Sequence, residues 1–163
     1  MNKIILNANH LVINALTAIK NKNYIEAKNL LEKAISIQPE MFEANHNLAI
    51  LNFQLGNLDS SILYFEKSKK IKPKFPQIYF NLGLAYDRKK NIDLAIINFK
   101  KVNKLDPNNP VVLHNIGHLY TKKFETIKAE EYLIKSLDLD PNRIITYDEL
   151  FSLYDRSNQI EKF

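Results

Sequence analysis

Four prolines, Pro39, Pro73, Pro107 and Pro141, stand 34 residues apart. Self-similarity at a fixed period of roughly 20–50 residues marks a chain built from stacked supersecondary units, each unable to bury its apolar face alone. Frames set by these prolines give repeats at residues 8–41, 42–75, 76–109 and 110–143, and a partial or capping unit at 144–163. Each frame holds a helical apolar pattern, a polar break, a second helical pattern and then the proline. In the third, residues 78–86 read Ile-Tyr-Phe-Asn-Leu-Gly-Leu-Ala-Tyr and residues 94–102 read Leu-Ala-Ile-Ile-Asn-Phe-Lys-Lys-Val. Tyr79, Leu82, Gly83 and Tyr86 fall at i, i+3, i+4 and i+7, which is one stripe of a helix. The expectation is an all-α fold of antiparallel helix pairs, about four and a half repeats, forming a single array over residues 1–163.

Matching places within the frames support the pairing. The eighth place is small in every full repeat (Ala15, Ala49, Gly83, Gly117), and so is the twentieth (Ala27, Ser61, Ala95, Ala129). Two helices approach closely only where both present small residues. Leu31, Phe65, Phe99 and Leu133 are then expected to fill the space beside the crossing. The 34-spaced prolines stop each second helix, because proline cannot continue one. Pro76 and Pro110 stand at first helical positions, where a missing N–H costs nothing, and Asn109 is placed to cap the helix after it.

These residues resemble the tetratricopeptide repeat (TPR) family over nearly the whole chain: Ala27, Ala95 and Ala129, the Pro39 to Pro141 series, and Asn81-Leu82-Gly83. The resemblance implies a right-handed superhelical solenoid whose first helices line a concave groove for an extended peptide. Two departures stand out. Asn45 occupies a place usually large and apolar, and Phe124 sits where the family commonly has the turn glycine, which Gly56 supplies in the second repeat.

At 100° per residue, places two, five, six, nine, twelve and thirteen of each first helix project away from the core stripe. The peptide-binding residues expected there are His46, Asn47, Ile50, Gln54, Gln77, Phe80, Asn81, Leu84, Asp87, Arg88, His114, Asn115, His118 and Lys122; Glu43, Phe53, Val111 and Thr121 share these places. Asn47, Asn81 and Asn115 recur at place six of consecutive repeats. An asparagine amide both donates and accepts, which equips it to hold a peptide backbone whatever its side chains; the other reading of these three is solvated residues common at this place of the repeat. Such a ladder resembles the peptide-guiding groove of the repeats attached to O-linked N-acetylglucosamine transferases. Repeats that clamp acidic chaperone tails are a poorer match: Asn47 agrees, but Val12, Leu16, Gln77 and Asn81 stand at the other clamp places.

His114 and His118, four apart on a helix, have the spacing of two metal ligands. No glutamate follows the first histidine and the chain has no cysteine, so the expectation is two groove-lining side chains and no metal. Ser61, Ser68 and Ser136 stand at small-residue places and read as packing residues. No catalytic residue, enzymatic activity or cofactor is expected. Net charge is +5, carried by lysine far more than arginine. Arginine is the residue that phosphate and base recognition usually recruits, so no nucleic-acid partner is expected. The sequence holds no apolar run long enough for a membrane span, and a brief apolar start is interrupted by Asn7, Asn9 and His10. A cytoplasmic protein without a membrane partner is the expectation. The last unit should supply one helix, Ile144 to about Asp155. Phe151 and Phe163 replace its small crossing residues, and self-association through that apolar edge is a further expectation. The function expected is a non-catalytic protein–protein interaction scaffold. The alternative is the substrate-recognition portion of a larger glycosyltransferase or sulfotransferase.

Overall fold

The computed structural model describes residues 2–160, with side chains described from residue 7 to residue 155. Among the described residues there are nine α-helices and no strand: α1 (Asn2–Lys20), α2 (Tyr24–Ile37), α3 (Phe42–Gln54), α4 (Leu58–Ile71), α5 (Pro76–Arg88), α6 (Ile92–Leu105), α7 (Pro110–Lys122), α8 (Thr126–Leu139) and α9 (Ile144–Ile160). The second helices α2, α4, α6 and α8 each have 14 residues, and α3, α5 and α7 each have 13. The chain divides into two compact units, Met1–Asn81 and Leu82–Phe163, with the division falling inside α5.

Within the first unit, α1 pairs with α2 and α3 with α4. Ala8, Ala15, Ala27, Leu31, Ala34, Ala44, Leu48 and Leu51 are all fully buried. At the α3–α4 crossing, Ser61 Oγ donates to the carbonyl of Ala49 at 2.9 Å, so the small places touch through a hydrogen bond. In the second unit glycines stand at the crossings. A Cβ added at Gly83 would lie 2.8 Å from the ring of Phe99, and one at Gly117 would lie 2.7 Å from Leu133. Leu31, Phe65, Phe99 and Leu133, the expected fillers, are at most 1% exposed. Each contributes about 1.5–3 kcal/mol by burial.

The turn inside each repeat is built the same way four times. Lys22, Gly56, Lys90 and Phe124, again 34 apart, all have positive φ, between 59° and 79°. This left-handed residue lets the next N–H reach back five residues: Asn23 to Ala18, Asn57 to Asn52, Asn91 to Tyr86 and Glu125 to Tyr120, at 2.8–3.1 Å. Such a 6→1 bond satisfies a carbonyl that the helix end would otherwise leave open. Asn23 and Asn91 then cap the following helix, accepting from Glu26 and Leu94 N–H. Asn109 caps α7 as expected, accepting from Val111 at 3.1 Å. Only one of the four left-handed positions is glycine, although an L-residue there costs roughly 1–2 kcal/mol. Phe124 is 80% exposed, so its ring gives little packing in return. Phe124→Gly is therefore expected to raise stability by about 0.5–1 kcal/mol, net of glycine's greater entropy when unfolded. A higher urea midpoint at unchanged slope checks it, and a lower midpoint would overturn this account of the turn.

Asn45 is held through its amide nitrogen, while its Oδ1 is buried without a hydrogen-bond partner. It is fully buried, and its Nδ2 donates to the carbonyls of Pro39 and Met41, both at 2.9 Å. One repeat later Tyr79 occupies the same place, and its hydroxyl donates to the carbonyl of Pro73 at 2.7 Å. In both repeats a polar tip at the fourth place ties the first helix to the preceding proline.

The ends differ from the frame. α1 starts six residues ahead of the first repeat, at Asn2, and α9 runs on to Ile160, where α3, α5 and α7 would already have ended. Phe163, the expected second crossing residue of the last unit, lies outside the described residues. No described helix is long and apolar enough to cross a membrane.

Candidate functional site

In the first unit the outward places carry both apolar and amide side chains. On α1, Ile13 is 58% and Leu16 44% exposed, whereas Val12 is buried. On α3, Asn47 and Ile50 are half-buried and Gln54 is exposed; on α5, Gln77 is exposed and Phe80 and Asn81 are half-buried. Asn47 Nδ2 donates to the carbonyl of Glu43 one turn back at 2.8 Å. Asn81 is held through its other atom, its Oδ1 accepting from Gln77 Nε2 at 3.2 Å.

His46 belongs more to the packing than to the surface. Its ring stacks on Phe42 with centroids 5.1 Å apart and meets Phe65 and Phe75 edge-on. Its Nδ1 is buried without a hydrogen-bond partner. Lys72 completes the cluster, 3.9 Å above the Phe42 ring and 3.2 Å from the Glu43 carboxylate. Desolvation lowers the imidazole's pKa, Lys72 lowers it further, and Glu43 opposes both.

In the second unit, Leu84 and Asp87 are half-buried, and Arg88 and Lys122 are exposed. Lys122 bridges α7 to α5 through Asp87 at 2.8 Å. Asn115 is half-buried, and its Nδ2 donates to the carbonyl of Val111 at 2.8 Å, repeating the arrangement of Asn47. His114 departs from the expectation of an open groove residue. It is buried, with Nδ1 hydrogen-bonded to Thr146 Oγ1 of α9 at 3.0 Å. Thr121, at place twelve, is also buried. His118 remains half-buried, its ring parallel to that of His114 with centroids 6.3 Å apart, and pairs with Glu149 at 3.0 Å. The two histidines thus hold α9 against α7. The reason lies in the neighbour: place five borders the next first helix, so what is outward on one helix is sealed when another lies beside it.

Thr146 and Glu149 were not singled out from the sequence, yet a signal existed. Glu149 is place six of the last unit, where a fourth ladder asparagine would stand. The asparagines are also less uniform than the sequence implies. Asn47 and Asn115 use a donor on their own helices and present Oδ1, while Asn81 presents its Nδ2. An extended backbone offers alternating N–H and C=O groups, so both forms serve such contacts.

The buried imidazoles carry a pH dependence. Burial lowers the pKa of His114, with Arg143 and His118 acting in the same sense and Glu149 against them. His46 is lowered likewise. A histidine depressed in the folded state binds its proton better when unfolded. Its stabilising share is present above the ordinary value of about 6.5 and is lost as pH falls through the folded value. Glu149, lowered chiefly by the His118 hydrogen bond, contributes above about pH 4.5 and fails only in stronger acid. Thermal melts should show Tm falling between pH 7.5 and 5.5, by about 2–4 °C per kcal/mol lost. His46→Phe, which keeps a ring in the nest, should flatten part of that slope. An unchanged Tm across the interval would refute the assignment.

Comparison with known proteins places this geometry. Tetratricopeptide repeat models match residues 76–109 and 111–143, and a further one matches residues 18–79. Among solved structures, MamA (residues 41 to the end) from Desulfovibrio magneticus RS-1 is similar, with a TM-score of 0.88, 19% identity, and 96% of this chain and 88% of that chain covered. YrrB, described as a TPR protein with an unusual peptide-binding site, gives 0.80 at 22% identity, over 87% of this chain and 73% of its own. PilF of Pseudomonas aeruginosa gives 0.77 at 20%, covering 96% and 72%. No curated protein matches the chain. At these identities the structural likeness establishes the fold, and the repeat models, which span most of the chain, establish the kinship: this protein belongs to the tetratricopeptide repeat family.

Proposed function

We propose that the chain is a non-catalytic scaffold whose first helices hold an extended segment of another protein. The observation that carries this reading is the recurrence of Asn47, Asn81 and Asn115, each half-buried and each tied by one side-chain atom to its own helix. A side chain already ordered in this way loses little rotamer freedom on binding, which favours affinity. Ile13, Leu16, Ile50 and Leu84 supply apolar contacts beside the amides, and Gln54, Gln77, Asp87, Arg88 and Lys122 supply polar and charged ones. The four repeats act as one module in this proposal, and the cysteine-free chain suits a reducing compartment such as the cytoplasm. The peptide-binding site described for YrrB, a protein of similar fold, is consistent with this use.

The test is a display of random peptides against the full chain, repeated against a variant with all three asparagines changed to alanine. Enrichment of linear peptides by the natural chain and its loss in the variant would support the reading. Equal enrichment by both would move binding to another surface.

A further inference from the structure

In the first unit an aliphatic row runs beside the asparagines. Place nine lies three residues beyond place six, on the same face of each first helix. It holds Leu16 on α1 and Ile50 on α3, and place six of α1 holds Ile13 where later repeats have asparagine. Ile13 and Leu16 are exposed and Ile50 is half-buried. Charge is kept away from this stretch. No carboxylate, ammonium or guanidinium stands at place five, six or nine of α1 or α3. Glu43, at place two, is joined to Lys72 at 3.2 Å, and Lys20 stands at the rim, as the last residue of α1. A charged side chain laid on Leu16 and Ile50 would lose hydration and find no close counter-ion. The second unit differs: there place nine passes from Leu84 to His118, which is paired with Glu149.

Helix spacing sets the register of a bound segment. α1 and α3 share one core, in which Leu11, Val12 and Ala15 pack with Ala44, Leu48 and Leu51, and packed helices stand about 8–10 Å apart. A polyproline II segment has three residues per turn and rises about 3.1 Å per residue, so side chains three apart point the same way at about 9 Å. A β-extended segment repeats its faces every second residue, at roughly 6.6 Å, and falls out of step with the helices. Polyproline II also leaves its backbone N–H and C=O groups unpaired, open to Asn47 Oδ1 and Asn81 Nδ2, the atoms that the own-helix bonds leave over. We infer that the first unit selects an uncharged segment in polyproline II conformation with aliphatic side chains three residues apart, one over Ile13 and Leu16 and the next over Ile50. This selectivity rests on the peptide-binding reading above and adds the class of segment to it.

Random nine-residue peptides displayed against the full chain should, once enriched, carry leucine, isoleucine, valine or methionine at two positions three apart. Acidic and basic residues should be depleted at both. A synthetic peptide of that class should lose about five- to tenfold in affinity for each aliphatic residue changed to serine, and more for aspartate. Leu16→Lys, a change at an exposed residue, should leave the helical circular dichroism intact. Peptides enriched by that variant should be acidic at one of the two positions and still aliphatic at the other. Enrichment that needs the three asparagines but shows no aliphatic pair would overturn the selectivity and leave the groove standing. So would an aliphatic pair unmoved by Leu16→Lys. Pairs spaced two apart would overturn the polyproline II assignment. Enrichment indifferent to the triple asparagine change, or no enrichment at all, would sink the groove and the selectivity together.

Discussion

Replacing Phe99 with alanine is expected to lower the stability of the protein by about 3–5 kcal/mol, the range for deleting a buried phenyl ring. Phe99 is 1% exposed and packs directly over Gly83. Whole domains are stable by only about 5–15 kcal/mol, so this one change should remove about a fifth or more of the total. The site also allows a sharper test. In the natural chain Gly83→Ala is expected to destabilise, since its methyl would lie 2.8 Å from the ring. With Phe99→Ala already present the methyl meets a cavity, and the gain of about 0.5–1 kcal/mol from alanine over glycine inside a helix should reverse the sign. Urea denaturation of the two single variants and the double variant measures this. Hydrogen exchange should place the lost protection mainly in residues 82–155. Additive effects in the double variant would mean that the ring and the glycine are not packed as described.

The triple change Asn47→Ala, Asn81→Ala and Asn115→Ala should cost about ten- to a thousandfold or more in affinity for a bound peptide. Each neutral hydrogen bond contributes about 0.5–1.5 kcal/mol net, and each 1.4 kcal/mol is tenfold in Kd. Because the asparagines are half-buried, some effect on the fold must be separated from this. The change removes own-helix bonds at Glu43 and Val111, but alanine is the better helix former by roughly half a kcal/mol. Tm should therefore shift by only a few degrees. The affinity loss should be similar for peptides of different sequence, since backbone contacts read no side chains. Arg88 and Lys122 should matter for acidic peptides alone, and less as salt rises. Calorimetric titration of one selected peptide against both proteins decides the matter, and matching Kd values would leave the asparagines without a binding role.

The repeat, the helix pairing and the crossing residues were legible in the sequence because they are set by local rules read over and over. Proline stops a helix from any place past its first turn, and an eighth-place glycine or alanine permits close approach in every copy. The four crossing fillers followed from the same frame. The family resemblance at Asn81-Leu82-Gly83 and along the proline series rested on these rules too. What the sequence left open depends on contacts that only the folded chain brings together. His114 reads as an outward residue on α7, and only the arrival of Thr146 on α9 makes it a buried, hydrogen-bonded imidazole. Asn45 reads as a misfit until the carbonyl of Pro39 comes within 2.9 Å. Lys22, Lys90 and Phe124 carry no turn signal of their own, yet each adopts the left-handed conformation that Gly56 takes freely. There the packing of two helices across the turn outweighs a local preference of roughly 1–2 kcal/mol. The sequence by itself determined which faces must meet; the tertiary structure decided which outward residues a neighbouring helix would cover, because burial belongs to a pair of surfaces and not to either one alone.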